Sequence, residues 1–211
     1  MSAARHGSGK PIAFARHGET AWTGNRFTGQ SDLPLTDHGR ASAETLAVRV
    51  ARSGVLEDPA SVIVASPLRR ARETAAIVAK AVDRPVHAEA RWMEAGFGSV
   101  EGLTFDEGSA AWPAVFARLA AGDAAIDWPG GETWLALHQR VAAALDDVLA
   151  RDVPVLVVGH GIAMYAAFTV LTGAHVDRSS LPGLPPGGLV TATWSGSDWI
   201  LEAPQPGGDR A

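Results

Sequence analysis

The chain of 211 residues contains no cysteine. Disulfides, thiolate metal sites and cysteine nucleophiles are therefore excluded, and the cytoplasm is the expected compartment. Lysine is nearly absent as well: Lys10 and Lys80 stand alone among 18 basic residues, and the rest are arginine. With 23 acidic residues the formal net charge is −5, so the chain lacks the basic excess with which nucleic acid or an anionic membrane is bound through counterion release. Long apolar runs are missing too. Ile162 to Leu171 is about half a bilayer span, and the opening MSAARHGSGK has no apolar stretch of the kind a signal peptide needs. These absences predict a protein with neither nucleic acid nor membrane as a partner; its oligomeric state, monomer or homodimer, is left open by the sequence.

What remains is an ordinary folding composition, 46% hydrophobic and 19% charged, at a length suited to one domain. Residues 1–10 and 204–211 read as flexible tails and 11–203 as the folded body. Three short apolar runs, Pro11 to Ala15, Ser61 to Ala65 and Val153 to Val158, do not alternate with polar residues and so read as buried parallel strands. Helical patterns follow them. Thr36 caps a helix to Arg52 that Gly54 stops; Ser66 is expected to cap, and Pro67 to open, a helix through Val82. Further helices are expected over Thr133 to Arg151 and His160 to Gly173. Leu189 to Trp194 and Trp199 to Glu202 read as a closing hairpin. This alternation predicts a three-layer α/β/α sandwich with a mainly parallel central sheet, whose reactive groups gather at the carboxyl ends of the strands.

Four segments fall where that architecture places one crevice. Arg16-His17-Gly18-Glu19-Thr20 closes the first strand. The Arg-His-Gly at residues 5–7 follows no strand and serves as an internal control, so His6 is read as surface. Ser66 to Ala75 (SPLRRARETA) follows the second strand and carries Arg70; in isolation this segment reads first as a solvated arginine pair with Glu73. Val158-Gly159-His160-Gly161 brings a second histidine to a strand end. Between them Glu94 to Gly102 forms a glycine-rich loop with two carboxylates. His38, His87, His138 and His175 stand without partners at ligand spacing, and no metal motif is present. Six tryptophans beyond Trp22 read as core and lid packing.

In this order RHGET, SPLxRAxxTA, ExxFGxxEG, PGGET and VVGHG resemble the histidine phosphatase superfamily, which has the phosphoglycerate mutase-like fold, over Ile12 to Ala203. The resemblance implies a metal-independent, cofactor-free enzyme acting on a small phosphorylated metabolite. His17 would be the nucleophile that forms a phosphohistidine, His160 the stabiliser of the phosphoryl oxygens and Glu94 the proton donor. Arg16 and Arg70 would grip the phosphate with forked permanent charges while biasing both histidines toward the neutral, nucleophilic form. Thr23 and Gly161 would add phosphate contacts, and Arg26, Thr28 and Gly29 substrate contacts, although Arg26 reads equally as a salt bridge holding its loop. Glu19 and Glu101 are expected to be structural.

Mutases of this family carry a longer insertion between the acid and the second histidine. Here a short lid around 103–130, with one helix near Trp112 to Ala121, favours a phosphatase. Phosphoglycerate mutase is the alternative, and a non-catalytic binder of phosphorylated ligands is a third reading.

Overall fold

A computed structural model of the chain describes residues 9–123, 125–173 and 184–202. The two expected tails fall almost wholly outside these residues, as do His6 and His175. Strands β1 (Ile12–Arg16), β2 (Val62–Ala65), β3 (Val86–Ala88), β4 (Val155–Gly159), β5 (Leu189–Trp194) and β6 (Trp199–Glu202) form a six-stranded sheet in the order β3-β2-β4-β1-β5-β6. The first four are mutually parallel, and β5 and β6 close the far edge antiparallel. All of β4 and nearly all of β1 are buried, which is why their sequences run apolar without alternation. Strand β3 was not anticipated. It is three exposed residues on an edge, too short to leave a period in the sequence.

Successive strand residues serve opposite faces. Phe14, Val64, Val155 and Val157 pack with Leu145 and Phe168 on one side. Ala13, Ile63 and Leu156 pack with Leu46 and Ala75 on the other. Helices α1 (Asp37–Ser53) and α2 (Arg69–Val82) cover the second face, and α5 (Trp134–Leu149) and α6 (Gly161–Thr172) the first. Thr36 caps α1 by accepting from the Gly39 N–H, and Gly54 ends it in the left-handed conformation at φ 70°. Trp92, Trp128 and Trp199 are buried in the first core and Trp112, Trp134 and Trp194 pack against it. Among the described residues, no helix is long and apolar enough to cross a membrane.

Two helix assignments differ from the sequence reading. Helix α2 begins at Arg69, after an extended Leu68, and not at Pro67. The Ser66 hydroxyl bonds His160 and the Leu68 N–H, while the Arg69 N–H is taken by Asp32 at 2.5 Å. The lid holds two helices rather than one, α3 (Phe105–Ala111) and α4 (Pro113–Ala120), broken at Trp112. Thr104 and Glu107 form a reciprocal capping box at the start of α3, a T-x-x-E signal that stands in the sequence.

Candidate active site

Strands β1 and β4 are neighbours with Arg16 opposite Gly159, so His17 and His160, each one residue past its strand, emerge side by side. The His17 N–H donates to Gly159 O at 3.0 Å, and the two imidazole centroids lie 5.0 Å apart. A glycine after His17 is needed because a Cβ at Gly18 would collide with the backbone carbonyl of Gly39 at the start of α1. Gly18 also positions the nucleophile candidate directly: its carbonyl lies 2.6 Å from His17 Nδ1. A carbonyl can only accept, so Nδ1 carries the hydrogen and Nε2 is left with its lone pair. The Gly18 N–H is fixed in turn by Thr74 Oγ1 of α2, at 3.1 Å.

Arg70, on the first turn of α2, is 1% exposed. Its Nε donates to His17 Nε2 at 3.1 Å, and its two terminal nitrogens donate to Ser31 O at 2.8 Å and Gly29 O at 2.7 Å. The loop supplying those carbonyls is pinned by Glu101, whose carboxylate accepts from the Gln30 N–H at 2.9 Å and the Ser31 hydroxyl at 2.6 Å. Arg16 reaches Leu184 O at 3.2 Å, with Gly161 lying against its guanidinium.

Glu94 enters from the opposite wall. Its carboxylate accepts from the Ala95 N–H and, at the N-terminus of α6, from the Ile162 and Ala163 N–H groups, at 3.0, 3.3 and 3.0 Å. Its own carbonyl is held by Arg140 at 2.9 Å and by Gln30 at 3.0 Å. Arg140 further bonds Arg91 O and Met93 O and pairs bidentately with Glu132 at 2.6 and 2.8 Å. Glu132, from the PGGET segment, accepts the Gly96 N–H and donates its own N–H to Gly96 O. The sequence reading did not single out Arg140 or Thr74. Arg140 lies two helical turns into α5 and its partners sit on remote loops, so no local spacing marks it.

These groups enclose a cavity of about 220 Å³. Arg16, His17, Gly29, Arg70, Glu94 and Gly161 line its inner part, with Thr23, Arg26 and Thr28 on its more exposed side and Phe27, Phe97 and Ile162 as apolar wall. His160 is 0% exposed and sits beside His17, with ring centroids 5.0 Å apart, bonded through Nε2 to Ser66 Oγ at 2.7 Å. Thr23 Oγ1 accepts from the Thr20 N–H at 2.8 Å. Arg26 bonds Gly102 O at 2.6 Å and Glu107 at 3.4 Å, joining its loop to α3. Phe27 packs against Phe97, Phe116 and Trp128. Glu19 pairs with His38 on the surface at 3.0 Å, His87 is exposed on β3, and His138 sits against Trp134. Among the described residues, no three His, Asp or Glu side chains are grouped to hold a metal ion.

Burial sets the electrostatics. It pushes the His17 imidazole well below its ordinary value of 6.5, and the Arg70 and Arg16 charges push it further, against a smaller opposing effect of the Gly18 carbonyl. His160 is lowered in the same direction by burial, then by Arg70, His17, Arg16 and Arg140. Both rings are neutral near pH 7. The inner cavity thus combines a bare ring nitrogen, two guanidiniums and an oriented carboxyl, a set suited to taking a phosphoryl group onto nitrogen.

Residues 12–205 match the model of the histidine phosphatase superfamily, branch 1. GpmB, a probable phosphoglycerate mutase of Yersinia pestis (strain Pestoides F), is 31% identical over 204 residues, covering 91% of each chain. The mycobacterial glucosyl-3-phosphoglycerate phosphatase solved with VO3 superposes with a TM-score of 0.79 at 28% identity, over 92% of this chain and 98% of that one. Bacillus stearothermophilus YhfR superposes with a TM-score of 0.78 at 27% identity, over 92% and 95%. The chain belongs to the histidine phosphatase superfamily and has its phosphoglycerate mutase-like fold, the fold of a family of phosphatases and mutases.

Proposed function

We propose that the chain hydrolyses phosphomonoesters of small metabolites through a phosphohistidine on His17, without a metal or other cofactor. The observation that carries this reading is the state of His17: Nδ1 is tied to Gly18 O, and Nε2 meets Arg70 with its lone pair at the inner end of the cavity. In the first step Nε2 attacks phosphorus, the P–O ester bond breaks, and Glu94 gives its proton to the departing alkoxide. In the second, water attacks phosphorus, Glu94 accepts the water's proton, the P–N bond breaks and inorganic phosphate leaves. Arg16 and Arg70 hold the phosphoryl oxygens throughout, with His160 adding a hydrogen bond, and these contacts strengthen as charge develops. Gly161 and Thr23 border the phosphate, and Thr28, Gly29 and Arg26 border the organic part. The partner is therefore a small phosphorylated molecule.

The phosphatase reading is favoured by the short lid, α3 and α4 being 7 and 8 residues long, and by the phosphatase among the structural neighbours. Similarity to GpmB keeps the mutase as the second reading. One experiment separates them. Phosphomonoesters, including 3-phosphoglycerate with and without a bisphosphoglycerate primer, are incubated in excess EDTA with the wild type and His17→Ala. The expected result is release of inorganic phosphate by the wild type in EDTA, lost by about 10³-fold or more in the variant. Primer-dependent isomerisation without net phosphate release would establish the mutase. Loss of turnover in EDTA would refute the metal-free mechanism.

A further inference from the structure

We infer that Ser66 is a positioning residue that fixes the tautomer of His160, placing the ring hydrogen on Nδ1 so that this nitrogen donates to the phosphoryl group carried by His17. Ser66 and His160 are both 0% exposed, so water does not compete for their polar atoms. The bond between Ser66 Oγ and His160 Nε2 is 2.7 Å, and the same oxygen accepts from the Leu68 N–H at 3.3 Å. His160 Nδ1 has no hydrogen-bond partner among the described residues.

Two arrangements are open to this group. If His160 Nε2 bore the hydrogen and donated to Ser66, the serine hydrogen would have no acceptor and the bare Nδ1 no donor, leaving two buried groups unsatisfied. If Ser66 donates to Nε2, the hydroxyl is used as both donor and acceptor and a single group is left over, the Nδ1–H. That remaining donor belongs to a ring 5.0 Å from His17, within electrostatic reach of the Arg16 and Arg70 charges. An anion is the ligand that such an environment admits, and phosphoryl oxygen supplies the missing acceptor. A hydroxyl suits this task better than a carboxylate would. A negative partner on Nε2 would draw a second proton onto the ring, whereas serine leaves it a neutral donor.

The segment from Ser66 to Thr74 then sets both rings. Ser66 does so directly, and Thr74 acts through Gly18, whose carbonyl holds His17 with the hydrogen on Nδ1 as well. The two imidazoles share a tautomer and face opposite duties: His17 offers a lone pair, His160 a hydrogen.

The tautomer is a property of the resting protein, while its effect on rate rests on the phosphohistidine reading. The test is ¹⁵N-histidine NMR of the full chain at pH 7, with the His160 signals assigned through a His160→Gln variant. The wild type should show His160 Nδ1 protonated and Nε2 bare, and the Nδ1 hydrogen should shift when inorganic phosphate is added. Ser66→Ala should move population to the Nε2–H form, and Ser66→Thr, which keeps the hydroxyl, should restore the wild-type pattern. On p-nitrophenyl phosphate, Ser66→Ala should lose kcat by about 10²-fold with KM little changed, and Ser66→Thr should recover most of it. A protonated Nε2 in the wild type, or an unchanged tautomer in Ser66→Ala, would overturn the inference and leave Ser66 as a turn former for Leu68. Should Ser66→Ala fail to fold, the wild-type spectrum decides alone. If the wild type does not hydrolyse the ester, the phosphatase reading falls while the spectrum still decides the tautomer.

Discussion

The inner and outer halves of the cavity are built differently. Inside, Arg70 is 1%, His17 6% and Glu94 7% exposed; Arg70 bridges His17 to the carbonyls of Gly29 and Ser31, and Glu94 is held by backbone N–H groups of its own loop and of α6. Around the mouth, Arg26 and Glu107 are a pair with side chains 38% and 54% exposed, and the two helices beyond them are short. Buried, charge-assisted bonds hold one geometry and act at low dielectric. Exposed pairs compete with water and contribute about 1 kcal/mol or less. The difference implies a division of labour: the inner half fixes the chemistry, and the outer half adapts to the substrate. Substitutions inside should therefore change kcat, and those outside should change KM.

The largest effect is expected at Arg70. A lysine there keeps the charge but loses the fork that spans His17, Gly29 and Ser31, so Arg70→Lys should lower kcat/KM by about 10² to 10³-fold. Steady-state kinetics on any accepted ester would check it, and a fall below tenfold would mean that charge alone suffices there.

Next is pH. Both buried histidines are held well below 6.5 when folded. Below about pH 6.5 the unfolded chain therefore binds protons that the folded chain refuses. Stability should be unaffected by these rings above that value and should fall as pH drops toward the folded values, by up to about 1.4 kcal/mol per pH unit for each ring. Urea melts at pH 7, 6 and 5 measure the slope. His160→Gln should flatten it by about half, and an unchanged slope would show that the acid sensitivity arises outside the site.

The third effect concerns how Glu94 is supported. Glu132→Gln keeps size and one hydrogen bond but ends the bidentate pairing with Arg140, whose other nitrogens hold the carbonyls of Arg91, Met93 and Glu94. A slight shift of the carboxyl should reduce kcat about tenfold and leave KM within twofold. A change in KM alone would place the Glu132 pair with the outer half instead.

The same division explains what could be read in advance. Inner residues such as His17 and His160 stand at strand ends, and strand ends are marked in sequence by apolar runs stopping at glycine-rich turns. Residues that reach across the fold carry no such mark. Arg140 is an unremarkable helix residue until loop 91–96 folds onto it. Ser66 is a plausible cap whose hydroxyl also bonds His160, while α2 begins two residues after Pro67 with its Arg69 N–H taken by Asp32 from a distant loop. In the lid, the helix expected near Trp112 to Ala121 is α4, which Pro113 opens; the helix absent from the sequence reading is α3, although the Thr104 and Glu107 box that opens it stands in the sequence. The double reading of Arg26 could not be settled from composition, since an arginine beside a cavity serves loop and ligand alike. In the folded chain it bonds Gly102 O and Glu107 while also lining the mouth.

Arg26 is thus where the comparison is sharpened, with the smallest expected effect. Its pair with Glu107 is exposed, so Arg26→Ala should lower stability by less than about 1 kcal/mol, and kcat should stay within twofold because the residue touches none of the groups that hold His17 or Glu94. KM should rise a few-fold for esters whose organic part is long enough to reach Arg26 and remain unchanged for a compact ester such as phenyl phosphate. Glu107→Gln retains a side chain able to complete the Thr104 capping box while removing the negative charge that pairs with Arg26, which keeps its bond to Gly102 O. It should therefore shift KM for anionic esters in the opposite direction, downward. Parallel KM changes in the two variants would mean that Arg26 works by holding α3 against its loop. Opposite changes, with kcat constant in both, would mean that its charge reads the substrate.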